Sequence, residues 1–227
     1  MKKNMTSLAL AAALVAGVAL PVQSASAAAG DWIVRGGVTW VVPDESSDKL
    51  VVGGTTTVDT RVSIDNDIKP SFTITYMLTD AIGIELLGAL PFKHDVDGKG
   101  GPFGGVHLAE AKHLPPTLSL QYHFNQFGAI KPYVGAGINY TVFFDEKATG
   151  NLKSAGFTKV SLKESFGYAL QVGMDYDLGN NWLVNADVRY IDIETEARLS
   201  GPGGAKAKID NIEIDPFVFT LAVGKRF

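Results

Sequence analysis

Ser119 and His123 are the residue types of a hydroxyl nucleophile and its general base, and both fall in a segment with strand-like alternation. A nucleophile must lie within hydrogen-bonding distance of its base to be activated. Four residues along a strand separate two side chains by roughly 13 Å, which is too far. The spacing therefore argues against a serine hydrolase, and we predict a protein that is not an enzyme.

Three histidines, His94, His107 and His113, fall between two strand-like segments. Imidazole nitrogens bind zinc, but a zinc site needs several ligands at characteristic spacings, and these spacings match none. The chain has no cysteine, which excludes a thiolate zinc site, a disulfide and a cysteine nucleophile. We therefore predict solvated loop histidines, no metal and no cofactor.

The overall composition limits the class of protein to which these residues can belong. The chain has 227 residues, of which 46% are hydrophobic and 19% charged, with a formal net charge of −4. It is too apolar to be disordered and too charged to be a bundle of membrane helices. The net negative charge also argues against a protein that binds nucleic acid, because such proteins carry clustered basic residues.

The first residues have the pattern of a secretory signal peptide. Two lysines near the start precede an uncharged apolar run over residues 8–20, and small residues follow up to Ala27. We predict cleavage after Ala27, so that residues 1–27 are the signal peptide and residues 28–227 form one exported domain. Such a domain is either soluble in the periplasm or a β-barrel in an outer membrane.

Eight segments alternate large apolar residues with small or polar ones. A soluble sandwich turns its large residues toward a shared core, whereas a narrow membrane barrel turns them toward lipid and fills its lumen with the smaller set. Here the small face is crowded with Gly, Ala, Ser and Thr, and aromatic residues lie near the segment ends. We therefore predict an all-β fold, an eight-stranded antiparallel up-and-down transmembrane β-barrel. Its strands are predicted at residues 32–41, 72–78, 82–93, 117–124, 133–142, 166–176, 182–190 and 217–227.

Short and long connections alternate along the chain, as periplasmic turns and extracellular loops do in such barrels. The chain ends on Phe227 within the last predicted strand. An aromatic C-terminus on a strand resembles the signal by which outer-membrane proteins are recognised, so we expect the insertion machinery as a partner. The long connections, predicted as loops, are residues 43–57, 94–113, 145–164 and 194–208.

Nine stretches, in order through nearly all of the mature chain, carry a specific resemblance. They are YMLTD at 76–80, IGIELL at 82–87, PFKH at 91–94, HLPPTL at 113–118, KPYVGAGINYT at 131–141, FFD at 143–145, SLK at 161–163, QVGMDY at 171–176 and WLVN at 182–185. In these the chain resembles the OmpW family of small outer-membrane barrels in Gram-negative bacteria. The resemblance implies an eight-stranded barrel through which small hydrophobic molecules pass.

With the N-terminus on the periplasmic side, charged inward residues collect low in the predicted barrel. Buried charges require partners, so we predict that three cations pair with three carboxylates and plug the lumen. A proton or ion path through the same residues is the alternative. The predicted plug is Arg35, Glu85, Lys131, Asp175, Asp187 and Arg226, with Gln121, His123 and Asn185 beside it.

Higher in the barrel the inward residues are mostly apolar and predict a funnel, which is a candidate ligand site. Relatives can carry an apolar aromatic residue at the inward position of Arg189, so the arginine argues against a purely apolar gate. Ile212 and Ile214 are out of phase with the last strand; either Pro216 marks a bulge or they also face the funnel. The predicted funnel and gate are Val41, Leu87, Phe143, Arg189, Ile191 and Ile193.

Pro91, Pro115 and Pro116 lie near the upper ends of the third and fourth predicted strands, which are neighbours. Proline donates no ladder hydrogen bond, so the barrel wall should be weakly joined there. We hypothesise a lateral opening at this place. The alternative is that these prolines only end strands or form bulges.

The sequence thus favours a barrel that admits small hydrophobic molecules into an extracellular funnel above a polar floor, with release sideways into lipid. A structural or receptor barrel without transport and a lipid-modifying barrel enzyme are the alternatives. Outer-membrane lipid is the surrounding partner. Six lysines of the long loops could contact lipopolysaccharide phosphates or simply be solvated; they are Lys147, Lys153, Lys159, Lys163, Lys206 and Lys208.

Overall fold

The structure, a computed structural model, describes residues 27–227. The predicted signal peptide, apart from Ala27, lies outside the described residues, and its cleavage stays a prediction. Within residues 27–227, no helix combines the length and the hydropathy needed to cross a membrane.

The described residues form mainly β-strands, with one α-helix, α1 (Gly150–Ser154), and three short 3₁₀ turns. In chain order the strands are β1 (Trp32–Val42), β2 (Leu50–Val52), β3 (Thr56–Val58), β4 (Arg61–Ile64), β5 (Asp67–Met77), β6 (Ile82–Ala89), β7 (Phe92–Lys99), β8 (His107–Leu114), β9 (Thr117–His123), β10 (Ile130–Ala148), β11 (Lys159–Leu162), β12 (Ser165–Gly179), β13 (Trp182–Ile191), β14 (Glu194–Ser200), β15 (Lys206–Glu213) and β16 (Phe217–Arg226). The 3₁₀ turns are Gly101–Phe103, Asn125–Phe127 and Pro202–Gly204.

Eight of these strands close into a barrel. Their order around the wall is β1, β5, β6, β9, β10, β12, β13 and β16, and β16 pairs back onto β1. Each neighbouring pair is antiparallel, and the order follows the chain. The predicted eight-stranded up-and-down barrel is therefore confirmed.

The two faces of the wall differ as lipid and lumen require. On β1, Val38 is 52% exposed on the outside, while its neighbour Thr39 is buried inside. On β12, Leu170 is 52% exposed and Ala169 is buried. Large exposed apolar side chains on every strand form a continuous outer band, which is the surface that acyl chains cover in a membrane barrel.

Small inward residues are required where the strands approach closely. A Cβ added to Gly37 of β1 would lie 2.0 Å from the backbone oxygen of Leu221, and one added to Gly137 of β10 would lie 2.2 Å from that of Leu118. Both contacts are far below van der Waals distance. Glycine therefore allows β1 to approach β16, and β10 to approach β9, more closely than a larger residue would at these positions.

Aromatic side chains pair near the ends of the outer band. Trp32 and Tyr76 lie with ring centroids 4.8 Å apart on the periplasmic side, and Tyr168 and Tyr190 lie 6.0 Å apart toward the other side. Amphipathic rings of this kind flank the apolar band of outer-membrane barrels at both interfaces.

The sequence predicts the long connections as loops. In the structure they continue largely as β-structure beyond the membrane. β10 has 19 residues and so spans roughly 60 Å, about twice the thickness of a hydrocarbon core. Its upper part pairs with β8, which pairs with β7 and then β4. A second sheet has the order β11-β14-β15-β2-β3. We call these two sheets together the extension.

These connections are ordered because the extension has an apolar interior of its own. Leu50, Val62, Leu199 and Ile209, each from a different strand, are buried together. Its outer face carries exposed ion pairs such as Lys112 with Asp145 at 2.8 Å. Charged outer residues exclude this part from the hydrocarbon, so the barrel strands are the membrane-spanning segments.

Candidate functional site

A network of charged side chains spans the lumen in the middle of the barrel. The Arg35 guanidinium donates to Asp175 through Nε at 3.0 Å and Nη2 at 2.5 Å, and its Nη1 lies 3.3 Å from Glu85 Oε2. Thr75 Oγ1 accepts a further bond from Nη1 at 2.9 Å. Four strands, β1, β5, β6 and β12, are thus joined across the lumen by one arginine.

Arg189 belongs to the same network, one level higher. Its Nη2 lies 2.6 Å from Glu85 Oε1 and its Nε 3.0 Å from Asp187 Oδ1. Gln171 donates to both of these carboxylates, at 3.0 and 2.7 Å. Arg189, predicted as part of the gate, therefore belongs to the buried charged network.

A second level lies below. The Nη1 of Arg226 lies 3.9 Å from Asp177 Oδ2, and Lys131 Nζ donates to the backbone oxygen of Asn125 at 3.3 Å. Asp177 thus adds a carboxylate beside Arg226 that the predicted plug does not include. Asp177 was overlooked because the predicted strand ended one residue before it, although it continues the inward alternation of Asp175.

The buried charges balance. Among residues 27–227, the buried cationic side chains are four and the buried carboxylates are also four. Removing one member would leave a charge without compensation in a low-dielectric lumen. The cations are Arg35, Lys131, Arg189 and Arg226, and the carboxylates are Glu85, Asp175, Asp177 and Asp187.

The other predicted polar residues of the floor are also buried. Asn185 donates to Asp175 at 2.8 Å and to the Tyr133 hydroxyl at 2.9 Å. His123 Nε2 lies 3.0 Å from Gln121 Oε1. The imidazole that could have served Ser119 as a base is therefore engaged by an amide.

An apolar cavity lies above the floor, inside the extension. Its volume is about 80 Å³, less than the roughly 150 Å³ of a cavity that holds benzene, so side chains must move before a ligand of that size enters. Phe143 lines it. Other lining residues come from the extension strands and the segments that connect them: Leu50, Val62, Ile64, Val96, Leu108, Leu152, Phe157, Leu199, Ile209, Ile212 and Ile214.

The remaining predicted funnel residues lie around the base of this cavity. Val41, Ile191 and Ile193 are buried in the apolar cluster that is continuous with its walls. Leu87 is buried on β6, two residues above Glu85. The apolar region therefore reaches higher than predicted, because the extension strands supply most of its wall.

The expectation of solvated histidines is wrong for two of the three. His94 and His113 are 5% and 4% exposed, line the cavity and stack with ring centroids 4.9 Å apart. They lie above the membrane-spanning strands. Burial lowers the pKa of His94, and burial together with the neighbouring His94 lowers the pKa of His113 to about 3. Both rings are therefore neutral at physiological pH.

His107 is half-exposed on the outer face of the same hairpin. Its Nδ1 lies 3.0 Å from Asp97 Oδ1. With Asp95 and Glu110 it offers ligand atoms that all lie within 4.8 Å of one another, but Glu110 pairs with Lys93 at 3.0 Å. His107 and Glu110 thus already have ion-pair partners. The absence of a metal at this surface stays a prediction.

The three prolines lie in an interruption of the barrel wall. The ladder between β6 and β9 ends at Leu87 opposite Thr117, and pairing resumes only in the extension, where Phe92 lies opposite His113. Within the described residues, no ladder pair joins 88–91 to 114–116. We call this gap the seam.

The backbone bonds beside the seam run to other strands. The Leu90 amide donates to the Pro70 oxygen at 3.0 Å, and the Tyr140 amide donates to the Pro116 oxygen at 3.2 Å. Each edge is thus held by its outer neighbour rather than by the opposite edge. Pro91, Pro115 and Pro116, which lie in the gap, have no amide hydrogen with which to close it.

Comparison with known proteins agrees with this architecture. Residues 28–227 match the model of the OmpW family. The chain is 40% identical to outer membrane protein W of Vibrio cholerae over the full length of both, and 34% identical to outer membrane protein AlkL of Ectopseudomonas oleovorans over 91% of this chain and 86% of that one.

The fold is also that of a solved relative. The crystal structure of the outer membrane protein OprG from Pseudomonas aeruginosa is similar with a TM-score of 0.82 and 42% identity, covering 88% of this chain and 97% of that one. The barrel, its lipid-facing band and these relatives all locate the chain in the cell outer membrane. It belongs to the OmpW family.

Proposed function

We propose that this barrel takes small hydrophobic molecules from outside the cell into the apolar cavity and releases them through the seam into the membrane. The observation that carries the proposal is the combination of an apolar cavity with a charged floor directly beneath it. A molecule that binds in such a cavity cannot continue downward without disrupting paired, buried charges.

The floor argues against a simple aqueous pore. Arg35 and Arg189 join carboxylates on different strands by short bonds, and Tyr133 and Gln171 fill space between them. An apolar solute gains nothing by exchanging the cavity for this environment. The favourable direction for it is sideways, into hydrocarbon.

The seam provides that direction. A barrel normally leaves no unpaired edge within the membrane, so an interruption of the ladder is the weakest part of the wall. Its position, above the last β6–β9 pair and below the first β7–β8 pair, is level with the base of the cavity. Prolines at 91, 115 and 116 keep the two edges from pairing across it.

Uptake of radiolabelled naphthalene tests the proposal. Cells with the protein should take it up faster than cells without it, and replacing Pro91, Pro115 and Pro116 by alanine should reduce the difference. Folding of the variant is checked by the heat-dependent gel mobility of the barrel. Unchanged uptake by a folded variant would contradict lateral release.

Two other outcomes would favour the alternatives. Equal uptake with and without the protein, for several apolar compounds, would point to a structural or receptor barrel. A change in lipid A that depends on the protein would point to an enzyme. The relatives are named as outer membrane proteins rather than as enzymes, which favours transport over lipid modification.

We also propose a cleavage site and two contacts outside the cavity. Cleavage follows Ala27, and the mass of the purified protein tests this. Phe227, whose backbone pairs with Trp32, is recognised by the insertion machinery, and its deletion should lower the folded amount. The six exposed lysines of the extension meet lipopolysaccharide phosphates, so their replacement should weaken binding to lipopolysaccharide.

A further inference from the structure

Two imidazoles are the unsatisfied polar groups in an otherwise apolar cavity. Four polar side chains line it: Thr60, His94, His113 and Thr195. Thr60 donates to the Gly100 oxygen at 3.2 Å and Thr195 to the Lys163 oxygen at 2.6 Å. The Nε2 atoms of His94 and His113 are buried and have no hydrogen-bond partner.

The tautomer of His94 follows from its other nitrogen. Nδ1 lies 2.5 Å from the backbone oxygen of Asp65. A carbonyl oxygen only accepts, so Nδ1 must carry the proton. In a neutral ring Nε2 is then a lone-pair acceptor. The wall of the cavity therefore holds a buried acceptor without a partner, which a ligand with an O–H or N–H group would satisfy once the neighbouring side chains move.

The two rings cannot satisfy each other. They stack with an interplanar angle of 12° and centroids 4.9 Å apart, whereas ring nitrogens form hydrogen bonds in the ring plane. Side-chain rings also flank His113, with Phe92 at 5.5 Å and Phe143 at 5.9 Å between centroids. A polar atom placed at the edges of this stack would be surrounded by aromatic faces.

We propose that His94 and His113 form a polar anchor for the hydroxyl group of an otherwise apolar ligand, a phenol or an aliphatic alcohol. His94 Nε2 accepts the hydroxyl proton, and His113, in its Nε2–H tautomer, donates to the oxygen. The apolar remainder of the ligand lies among the leucine, isoleucine and phenylalanine side chains. This inference rests on the proposed function, because it names the substrate class of the same cavity.

Three probes of similar shape test separately whether the ligand must donate a hydrogen bond and whether it must accept one. 4-Ethylphenol both donates and accepts, 4-ethylanisole only accepts, and ethylbenzene does neither. The mature chain in lipid nanodiscs, labelled with ¹⁵N in its histidines, is titrated with each probe by NMR. We expect 4-ethylphenol to shift the His94 Nε2 resonance and to bind about tenfold more tightly than 4-ethylanisole.

His94→Phe preserves a ring of similar shape and should bind the phenol and the anisole equally. His107→Phe is the matched control, since His107 lies on the same hairpin outside the cavity, and it should retain the tenfold preference. If His94→Phe does not fold, the resonance of His94 in the unsubstituted protein decides.

Three results would overturn the anchor. If the His94 resonance does not respond to the phenol, or if the three probes bind equally, the ligand does not use the imidazoles, and the proposed transport of apolar molecules stands without it. If His107→Phe also loses the preference for 4-ethylphenol over 4-ethylanisole, the preference does not arise from His94 and His113. If none of the probes binds, the cavity is not a ligand site, and the proposed function fails together with the anchor.

Discussion

Glu85→Gln tests the closed floor, because this one carboxylate serves both central arginines. Its Oε1 accepts from Arg189 Nη2 at 2.6 Å, and its Oε2 accepts from Arg35 Nη1 at 3.3 Å. The substitution keeps the size of the side chain and removes its charge. Four buried cations then face three carboxylates.

The loss in free energy of unfolding can be estimated from the ion pairs that Arg35 and Arg189 keep in the variant. Removing one partner of a buried ion pair costs about 3–5 kcal/mol. Arg35 keeps Asp175 at 2.5 Å and Arg189 keeps Asp187 at 3.0 Å, so we expect the lower end, about 3 kcal/mol. A typical folded domain is stable by only about 5–15 kcal/mol, so the loss is large.

The assay is urea unfolding of the protein in phospholipid vesicles, followed by tryptophan fluorescence. The control is Asp145→Asn, which breaks the exposed Lys112–Asp145 pair and should lower the stability far less, because solvent screens exposed ion pairs. Asparagine tolerates the φ of 59° at this position. The reasoning is refuted if Glu85→Gln unfolds at the same urea concentration as Asp145→Asn.

Two further predictions concern the extension and the wall. Because the pKa of His113 is lowered from 6.5 to about 3, the unfolded chain binds more protons between these values. The extension should therefore lose stability as the pH falls from 6.5 toward 3. Hydrogen exchange of β7 and β8 measures this loss, and His113→Phe should weaken it; an unaltered pH dependence would count against a buried neutral ring. Gly37→Val should prevent folding, since its Cβ would lie 2.0 Å from Leu221 O, whereas Gly36→Val, with no atom within 4 Å, should fold. Heat-dependent gel mobility reports both, and similar folded fractions would contradict the close approach of β1 and β16 at Gly37.

The barrel could be predicted from the sequence because its signal is local. Each strand shows one face to lipid and one to the lumen, so alternation within a few residues, as from Trp32 to Trp40, identifies both the strand and its outer side. The eight segments and their antiparallel order were confirmed for this reason.

The extension could not be predicted in the same way. Several of its strands, such as β2, β3, β4 and β11, have only three or four residues, and its outer faces carry charges typical of loops, such as Lys112 and Asp145. The apolar alternation becomes meaningful only when strands distant in the chain bury it together. The burial of His94 and His113 depends on that same packing and has no separate sequence signal.

The sequence also does not give the height of a residue along the barrel axis. Alternation shows that Arg189 and Asp187 point inward, but which inward residues meet depends on the stagger between strands. The registers bring Arg189 beside Glu85 and Arg226 near Asp177. The composition of the floor could therefore be predicted in large part, but its individual ion pairs could not.

Lateral release is the central claim, and a reversible cross-link tests it most directly. The chain has no cysteine, so paired substitutions are unambiguous. Leu90→Cys with Leu114→Cys, bridged by a short thiol cross-linker, ties the edges of the seam. Ile84→Cys with Leu120→Cys ties a pair that the ladder already holds and is the control. We predict that bridging the seam abolishes uptake of naphthalene by cells and that cleaving the bridge restores it, while the control pair has no effect. Equal uptake with the seam bridged and free would contradict the account.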